Sequence, residues 1–373
     1  MVKILHTADL HLDSPNSGLG LASAEAVRNE QRLVFSKMME YVSENAIDIV
    51  LICGDLFDGK YISNETKNLV KRKFAQLPCP VVIAPGNHDP YNTVSLYHSG
   101  ELPDNVYVFS SEEMQIFDFD NIGVSVCGYA FTSDRLEHSP ITSFVPRRTR
   151  YAPVLCAHAD LGATFSKYAP VSVSDIERCN FAYAALGHIH NEPENLPENI
   201  KYCGFPTGRS FDELGYGGAY LVTLDGEKTV AERIVFSEHR FIKESLDVSS
   251  ASSGADVEKI IREHIEANNY GGETSLCLEL FGTLPLSVTP DIKRLAAIKL
   301  PLRQLKLKDA TTALPDTKYL EEDLTLRGEL YRTLLPKLNS TDADERRSAA
   351  LALRLGLCAI DGQSVSDILG IEN

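Results

Sequence analysis

Several side chains that could bind a cation or move a proton directly follow short apolar stretches of this sequence. Asn87, His88 and Asp89 stand just after Pro85-Gly86, where the apolar run 80–84 ends. An amide, an imidazole and a carboxylate in succession supply both metal ligands and acid–base groups. Side chains of the same kinds follow other apolar runs along the chain: Asp9 and His11, Asp55 and Asp58, His158, and His188 and His190.

The elements that must position these residues are predicted strands. Apolar, β-branched runs predict strands at 3–7, 47–53, 81–84, 154–157 and 182–186. Helical spacing at 24–45 and 64–76 lies between the early strands, which favours βαβ units; the later half is richer in strands, so we expect a layered α/β sheet or sandwich.

Strands of one parallel sheet bring their carboxyl ends to one edge, so the residues that follow them should converge. Each residue alone has an ordinary explanation, because a lone Asp or Asn is often a turn residue and a lone His is often part of the core. Converging carboxylates and imidazoles, however, are stable only when they are protonated, hydrogen-bonded or bound to cations. Together they therefore predict a metal site.

Composition sets limits on the class of protein. A chain of 373 residues with 43% hydrophobic residues can bury a large core and is expected to hold two or more domains. We find no apolar run of about 18 residues and no signal-peptide pattern, which predicts a soluble, cytoplasmic protein without a membrane span. The 8 cysteines stand singly, without a C-x-x-C pair, so no zinc or disulfide role is expected.

The net charge of −16 bears on the choice of partner. An acidic chain repels nucleic acid at long range, so a phosphate substrate must be attracted by something local, such as bound cations. Phosphate could be contacted by two basic segments, Lys71-Arg72-Lys73 and Arg147-Arg148-Thr149-Arg150. It is at least as plausible that these segments are simply charged, solvent-exposed surface.

The last third of the chain has a different pattern. The small-residue segment 249–254 precedes a helix at 256–268 and strands at 275–281 and 304–307, which together predict a small β-α-β domain. Two closing helices are predicted at 319–335 and 342–358. In the second helix the large apolar residues point in nearly all directions around the helix axis; they are Leu351, Leu353, Leu355, Leu357 and Ile360. One side of this helix must therefore stay exposed or contact a partner.

Taken in chain order, the candidate residues resemble the signature of the calcineurin-like metallophosphoesterases. The matching segments are Asp9-Leu10-His11, Gly54-Asp55, Gly86-Asn87-His88-Asp89, His158 and Gly187-His188-Ile189-His190. The resemblance covers roughly residues 1–240 and implies an α/β fold: a four-layer β-sandwich flanked by helices, with two metals in its cleft. A small α+β capping domain at 241–312 and C-terminal helices at 313–373 complete the expected organisation.

The resemblance also implies a role for each residue. The first metal would be held by Asp9, His11, Asp55 and His190. The second would be held by Asp55, Asn87, His158 and His188, with Asp55 bridging. His88 would be the general acid, and Asp58 would orient its ring. Two divalent metals are expected, with Mn²⁺ the first choice and iron or zinc as alternatives.

Within the family, the chain most resembles SbcD-like DNA-repair exonucleases. That branch implies a DNA exonuclease or endonuclease subunit that works in DNA repair with an SbcC-like coiled-coil ATPase, docked by the closing helices, and that can pair with a second copy. Some members of the branch carry His where Asp58 stands, so the residue that pairs with His88 differs within the branch.

Other functions share parts of this pattern. A small-molecule or cyclic-nucleotide phosphodiesterase shares these motifs but leaves the C-terminal residues without a role. A phosphoprotein phosphatase is disfavoured by Gly59 and Asp89, where that group carries Arg and Glu. A vestigial scaffold is disfavoured by the complete ligand set.

Overall fold

The computed structural model describes residues 1–16, 21–59, 61–146, 150–162, 165–226, 228–285, 288–314 and 317–362. The chain forms two compact units, Met1–Arg240 and Phe241–Asn373. The predicted division of the second unit into 241–312 and 313–373 stays a prediction. Within the described residues, no helix is both long and apolar enough to cross a membrane.

The first unit contains a large sheet whose central strands are parallel. Its strands, in spatial order, are β4 (Val106–Val108), β3 (Val81–Ile83), β2 (Ile49–Ile52), β1 (Val2–Thr7), β10 (Gly215–Asp225) and β11 (Lys228–Asp247). Strands β1 to β4 run parallel, whereas β10 is antiparallel to β1, with Lys3 opposite Thr223. The parallel strands place the residues that follow β1, β2 and β3 at one edge.

A second sheet in the same unit has a similar design. Its strands, in spatial order, are β5 (Gln115–Phe119), β6 (Val124–Gly128), β7 (Ala152–His158), β8 (Tyr183–Gly187) and β9 (Ile200–Tyr202). Strands β6 to β9 run parallel, and only β5 is antiparallel. The ends of β7 and β8 deliver the later histidines of the motif.

The two sheets pack face to face and are covered by helices on the outside. Ile49 and Leu51 of β2 share one buried cluster with Val126 of β6 and Val154 of β7. The other face of the first sheet packs on α1 (Leu21–Glu44) and α2 (Asn64–Ala75). The other face of the second sheet is covered by α3 (Val173–Arg178) and the short 3-10 helix Pro140–Ser143. The expected four-layer sandwich flanked by helices is therefore confirmed.

The second unit has its own core, and its strands continue the eight-stranded sheet beyond β11. The end of β11 neighbours β12 (Thr274–Pro285), which pairs in parallel with β13 (Gln304–Leu314). The helices are α4 (Gly254–Ala267), α5 (Ile292–Ala296), α6 (Thr317–Glu322), α7 (Leu326–Leu338) and α8 (Ala343–Ile360). Apolar residues of α4, such as Ile261, pack on β12, and α7 packs on α8 in a separate cluster.

Some elements differ from the sequence prediction. The helix predicted at 319–335 is two helices, because Asp323 accepts a hydrogen bond from the backbone N–H of Thr325 and Thr325 caps α7. In α8, Leu353 and Leu357 are buried, while Leu351 is 41% exposed and Ile360 is 37% exposed. Leu351 lies on the opposite side of the helix from Leu353 and Leu357, whereas Ile360 points close to the direction of Leu353 at the end of the helix.

Candidate metal centre

The strand ends hold the predicted ligands in an unusual backbone conformation. Asp9, His11 and Asp55 all have positive φ, at 53°, 46° and 52°. Such a conformation costs about 1–3 kcal/mol at a non-glycine residue and is concentrated at functional sites. Backbone hydrogen bonds hold it, because the N–H of Asp9 donates to Gly54 O at 3.0 Å and that of His11 donates to Asp55 O at 2.9 Å.

A first group of ligand atoms comes from Asp9, His11 and His190. The Nε2 atoms of His11 and His190 lie 3.3 Å apart, and His190 Nε2 lies 3.7 Å from Asp9 Oδ1. Asp9 and His11 are 1% and 2% exposed, so water cannot readily solvate these atoms. Buried carboxylate and imidazole atoms in such an array need a proton or a cation between them.

A second group comes from Asp9, Asp55 and His158. His158 Nδ1 lies 3.0 Å from Cys53 O, so this nitrogen carries the hydrogen and donates it. The lone pair of a neutral His158 is then on Nε2, which lies 2.9 Å from Asn87 Oδ1. Two acceptor atoms facing one another are unfavourable on their own, and a cation that binds both removes the conflict.

Asp55 lies between the two groups. Its Oδ2 atom is 3.6 Å from His11 Nε2 and 3.5 Å from His158 Nε2. Its Oδ1 atom accepts the backbone N–H of His88 at 2.9 Å, which fixes the carboxylate. One oxygen of Asp55 can therefore contribute to both groups.

His188 lies next to the second group rather than inside it. Its ring centroid is 5.0 Å from that of His158, and its backbone N–H donates to the Asp9 carboxylate. Burial, with a further contribution from His158, lowers the pKa of His188 to about 4. A neutral imidazole of this kind is the form that binds metals. The oxygen and nitrogen atoms of the whole set fit Mn²⁺, iron or zinc.

His88 and Asp58 form a separate pair beside these groups. His88 Nδ1 donates to Asp58 Oδ1 at 2.9 Å, and Ser14 Oγ donates to Asp58 Oδ2 at 2.7 Å. The hydrogen bond with Asp58 raises the pKa of His88 above its ordinary value. Burial alone would raise the pKa of Asp58, but the contacts with His11, His88 and Ser14 outweigh it and hold the pKa well below its usual range. The contact with Asp58 thus favours the protonated form of His88, whose ring is 46% exposed.

Asp89 is a residue whose role the motif alone did not reveal. Its carboxylate accepts backbone N–H groups of Gly86 at 2.8 Å, and of Asp55 and Phe57 at 3.1 Å each. It also accepts the hydroxyl of Tyr97. Burial and the nearby Asp55 charge raise the pKa of Asp89 to about 7. Asp89 therefore joins the loops after β2 and β3, and its position as the last letter of Gly-Asn-His-Asp was the only sequence signal.

Two further residues reach the site although the sequence pattern did not predict it. Glu213 Oε1 lies 2.8 Å from His190 Nδ1, and the Arg209 side chain forms an ion pair with Glu213. Arg209 Nη1 also lies 3.7 Å from Asp58 Oδ2. A loop between β9 and β10 thus reaches the candidate ligands. Sequence spacing could not show this, since it depends on tertiary structure.

A cavity of about 680 Å³ opens beside Asn87 and His88. Its wall includes apolar residues such as Ile62 and Leu96, together with Tyr168. None of the described residues that line it is a lysine or an arginine. The cavity therefore suits an uncharged organic group next to His88.

Comparisons with known proteins identify the family of the chain. A model of the family described as "Calcineurin-like phosphoesterase" matches residues 2–192. The chain is 27% identical over 303 residues to the uncharacterized metallophosphoesterase YhaO of Bacillus subtilis (strain 168), which covers 75% of this chain and 72% of the relative. It is 24% identical over 300 residues to the SbcD nuclease subunit of Staphylococcus epidermidis (strain ATCC 12228 / FDA PCI 1200), which covers 72% of this chain and 76% of the relative.

Among solved structures, the chain is similar to GAP50, the anchor in the inner membrane complex of Plasmodium. The alignment covers 63% of this chain and 84% of that chain, with 9% identity and a TM-score of 0.37. Similarity at this level is no evidence of a shared function.

Proposed function

The chain belongs to the calcineurin-like phosphoesterase family, and from that premise we propose that it is a two-metal phosphodiesterase that cuts DNA at or near its ends. The main support for the proposal is the position of the Asp55 carboxylate between the two groups of ligand atoms. One of its oxygens lies within 3.6 Å of a nitrogen of His11 and within 3.5 Å of a nitrogen of His158. A carboxylate in that place can join two cations.

The proposed ligands are those of the family pattern. Asp9, His11, Asp55 and His190 would hold one metal; Asp55, Asn87, His158 and His188 would hold the other. Two bound divalent cations would supply Lewis acidity, by lowering the pKa of water and by neutralising charge on the phosphate. Mn²⁺ is the metal that we propose, with iron and zinc as alternatives.

The residues of the chain itself would handle the leaving group. His88 carries a proton on Nδ1 toward Asp58 Oδ1 at 2.9 Å, which leaves Nε2 of the imidazolium to donate to the leaving oxygen. Asp58 favours the charged form of the ring and fixes its orientation. Asp89 keeps the loop of Asn87 and His88 against the loop of Asp55. The proton donor is therefore held rigidly beside the proposed ligands.

The choice of DNA as substrate rests on the similarity to the SbcD nuclease subunit. The surface charge gives it little support. Lys71 Nζ is paired with Glu101 at 2.6 Å, and Lys73 Nζ is paired with Glu40 at 2.7 Å. Residues 147–149 of the second basic segment lie outside the described residues, and Arg150 contacts the Tyr151 ring. Attraction of phosphate would therefore depend on the metals.

One observation favours the second candidate, a small-molecule or cyclic-nucleotide phosphodiesterase. Among the described residues, the cavity beside His88 is lined by no lysine or arginine. A cavity of that kind suits a single organic group better than a polyanionic strand. The two candidates differ in what they cleave rather than in how they cleave it.

The assay that separates them uses the purified full chain with Mn²⁺ and an Asp55→Ala control for contaminating activity. We expect metal-dependent release of nucleotides from end-labelled DNA and hydrolysis of a chromogenic phosphodiester. Hydrolysis of a cyclic nucleotide without any cleavage of DNA would favour the second candidate. No hydrolysis of any of these esters would reject both.

The partner that we propose is an SbcC-like coiled-coil ATPase in the cytoplasm, and a homodimer is the further assembly expected by family resemblance. The exposed side of α8 supports this, because Leu351 is an exposed apolar residue on the opposite side of the helix from Leu353 and Leu357. Shortening the chain near Asn339 would also remove Leu353 and Leu357, which pack with Tyr331. A Leu351→Glu variant is therefore the better test. It should keep phosphodiesterase activity but no longer co-purify with the ATPase; unchanged co-purification would contradict docking through this side.

A further inference from the structure

A buried ion pair lies directly behind one of the proposed metal ligands. Glu213 is 3% exposed, and its Oε1 atom lies 2.8 Å from His190 Nδ1. Arg209 Nε donates to Glu213 Oε1 at 3.0 Å, and the backbone N–H of Arg209 donates to Glu213 Oε2 at 2.7 Å. Both carboxylate oxygens are therefore occupied, one of them by a ligand histidine.

This contact decides which nitrogen of His190 faces the ligand group. A nitrogen 2.8 Å from a carboxylate oxygen carries a hydrogen and donates it. When the ring is neutral, Nδ1 of His190 therefore keeps the hydrogen and the lone pair is on Nε2. That Nε2 atom lies 3.3 Å from His11 Nε2 and 3.7 Å from Asp9 Oδ1. A neutral ring in this orientation would present the lone pair of Nε2 to the proposed metal.

Arg209 extends the arrangement to the proton donor. Its Nη1 atom lies 3.7 Å from Asp58 Oδ2, and the other oxygen of Asp58 accepts from His88 at 2.9 Å. Arg209 thus contacts the carboxylate behind His190 and the carboxylate behind His88. Burial of an ion pair is not by itself stabilising, because the loss of hydration offsets the attraction between the charges. A contribution to fold stability is therefore not enough to explain why Glu213 and Arg209 form a buried ion pair.

We propose that Glu213 is a positioning residue that sets the ring orientation and tautomer of His190 for metal binding, and that Arg209 holds Glu213 in place. The inference rests on the proposed two-metal site and adds to it a determinant of affinity at one metal. Outer carboxylates that orient a ligand histidine contribute about 10–100-fold to metal affinity. We expect an effect of that size at the metal held by His190, and a much smaller effect at the other.

The experiment is a calorimetric titration of the metal-free full chain with Mn²⁺, together with metal content and melting temperature with and without metal. Glu213→Ala/Arg209→Met removes the pair without leaving an unpaired buried charge, and should weaken one of the two sites by about 10–100-fold. Glu213→Gln keeps an oxygen that can accept from His190 Nδ1 and should lose less affinity. The melting temperature of the metal-free protein should change less than the increase that metal produces.

A matched control is available in the second unit. Glu244 Oε2 lies 2.7 Å from His264 Nε2, so Glu244→Ala removes a similar carboxylate–histidine contact and should leave both affinities unchanged. The double variant could instead bind metal at both sites with wild-type affinity, while its metal-free form melts at a lower temperature. That result would overturn the proposal and show that the pair only stabilises the loop. A wild-type chain that binds no Mn²⁺ would instead overturn the two-metal site itself.

Discussion

Carboxylates serve different purposes in the two units of this protein. In the second unit, Asp342 accepts the backbone N–H of Asp344 at 2.8 Å and begins α8, so its partner is the nearest available donor. In the first unit, Asp9 and Asp55 face imidazole nitrogens at 3.5–3.7 Å, beyond hydrogen-bonding distance. The first arrangement is complete by itself, whereas the second needs an additional proton or cation. The difference separates a residue that caps a helix from residues that we propose bind metal.

The largest effect is expected when Asp55→Ala in the first unit is compared with Asp342→Ala in the second. Asp55→Ala should empty both metal sites together and lower metal affinity by more than the roughly 100-fold that an outer residue can cost. Asp342→Ala should retain both metals and lose about 0.5–2 kcal/mol of stability as a lost helix cap. Elemental analysis and denaturant unfolding measure the two effects. Two metals retained by Asp55→Ala would contradict the bridging role.

The next effect concerns the proton donor. His88→Gln should keep both metals but lose roughly 10²–10⁴-fold in turnover on esters with poor leaving groups, which is the range for general acid catalysis. A chromogenic ester with a good leaving group should lose less, because it needs little protonation. Equal losses on both esters, measured as kcat, would instead assign His88 to positioning of the phosphate.

Substitution of one glycine in each unit compares how closely neighbouring atoms approach the backbone in the two units. A Cβ atom at Gly86 would lie 2.2 Å from Asp55 Oδ1, whereas a Cβ at Gly272 would meet nothing within 4 Å. Gly86→Ala should therefore cost about 1–3 kcal/mol through overpacking and should weaken metal binding by displacing Asp55. Gly272→Ala should do neither. Thermal unfolding and Mn²⁺ titration of both variants test this. Equal losses of stability and of Mn²⁺ affinity in the two variants would contradict the expected difference.

A further effect is a pH dependence of stability that comes from a buried histidine, His6. His6 Nδ1 contacts Tyr183 Oη at 2.8 Å and Nε2 contacts Leu186 O at 3.1 Å, so Nε2 donates and Nδ1 accepts. Burial lowers the pKa of His6 from 6.5 to about 3. Between those values the unfolded chain binds a proton that the folded chain does not, so stability falls as pH falls through this window.

The size of that loss is about 1.4 kcal/mol per pH unit for one group. His6→Gln should reduce the slope of unfolding free energy against pH by that amount below pH 6.5. Urea unfolding in a chelator, from pH 7 to pH 4, measures the slope without a metal contribution. A slope that is the same in both proteins would show that His6 is not the source.

The sequence was informative where residue type and order determine chemistry. Asp9, His158 and the other ligand residues follow apolar strands, and parallel strands must bring them to one edge. Strand β11 was missed because Lys, Arg and Glu recur through Lys228–Asp247, a pattern that resembles solvated surface when its partners are unknown. Glu213 was not assigned to the site because a contact with His190 depends on the path of a loop. Local pattern predicted the ligands, and only tertiary structure could show what holds them.

The order of strands in the first unit also governs how the protein is made. His11 and His190 face each other although they are 179 residues apart in sequence, and β1 is flanked by β10, which follows much later. A ribosome delivers β1 long before β10, so one edge of an apolar strand stays unpaired through much of synthesis. Contacts of such long range slow folding and leave intermediates open to aggregation. The group of Asp9, His11 and His190 is consequently completed only after the first half of the chain has been made.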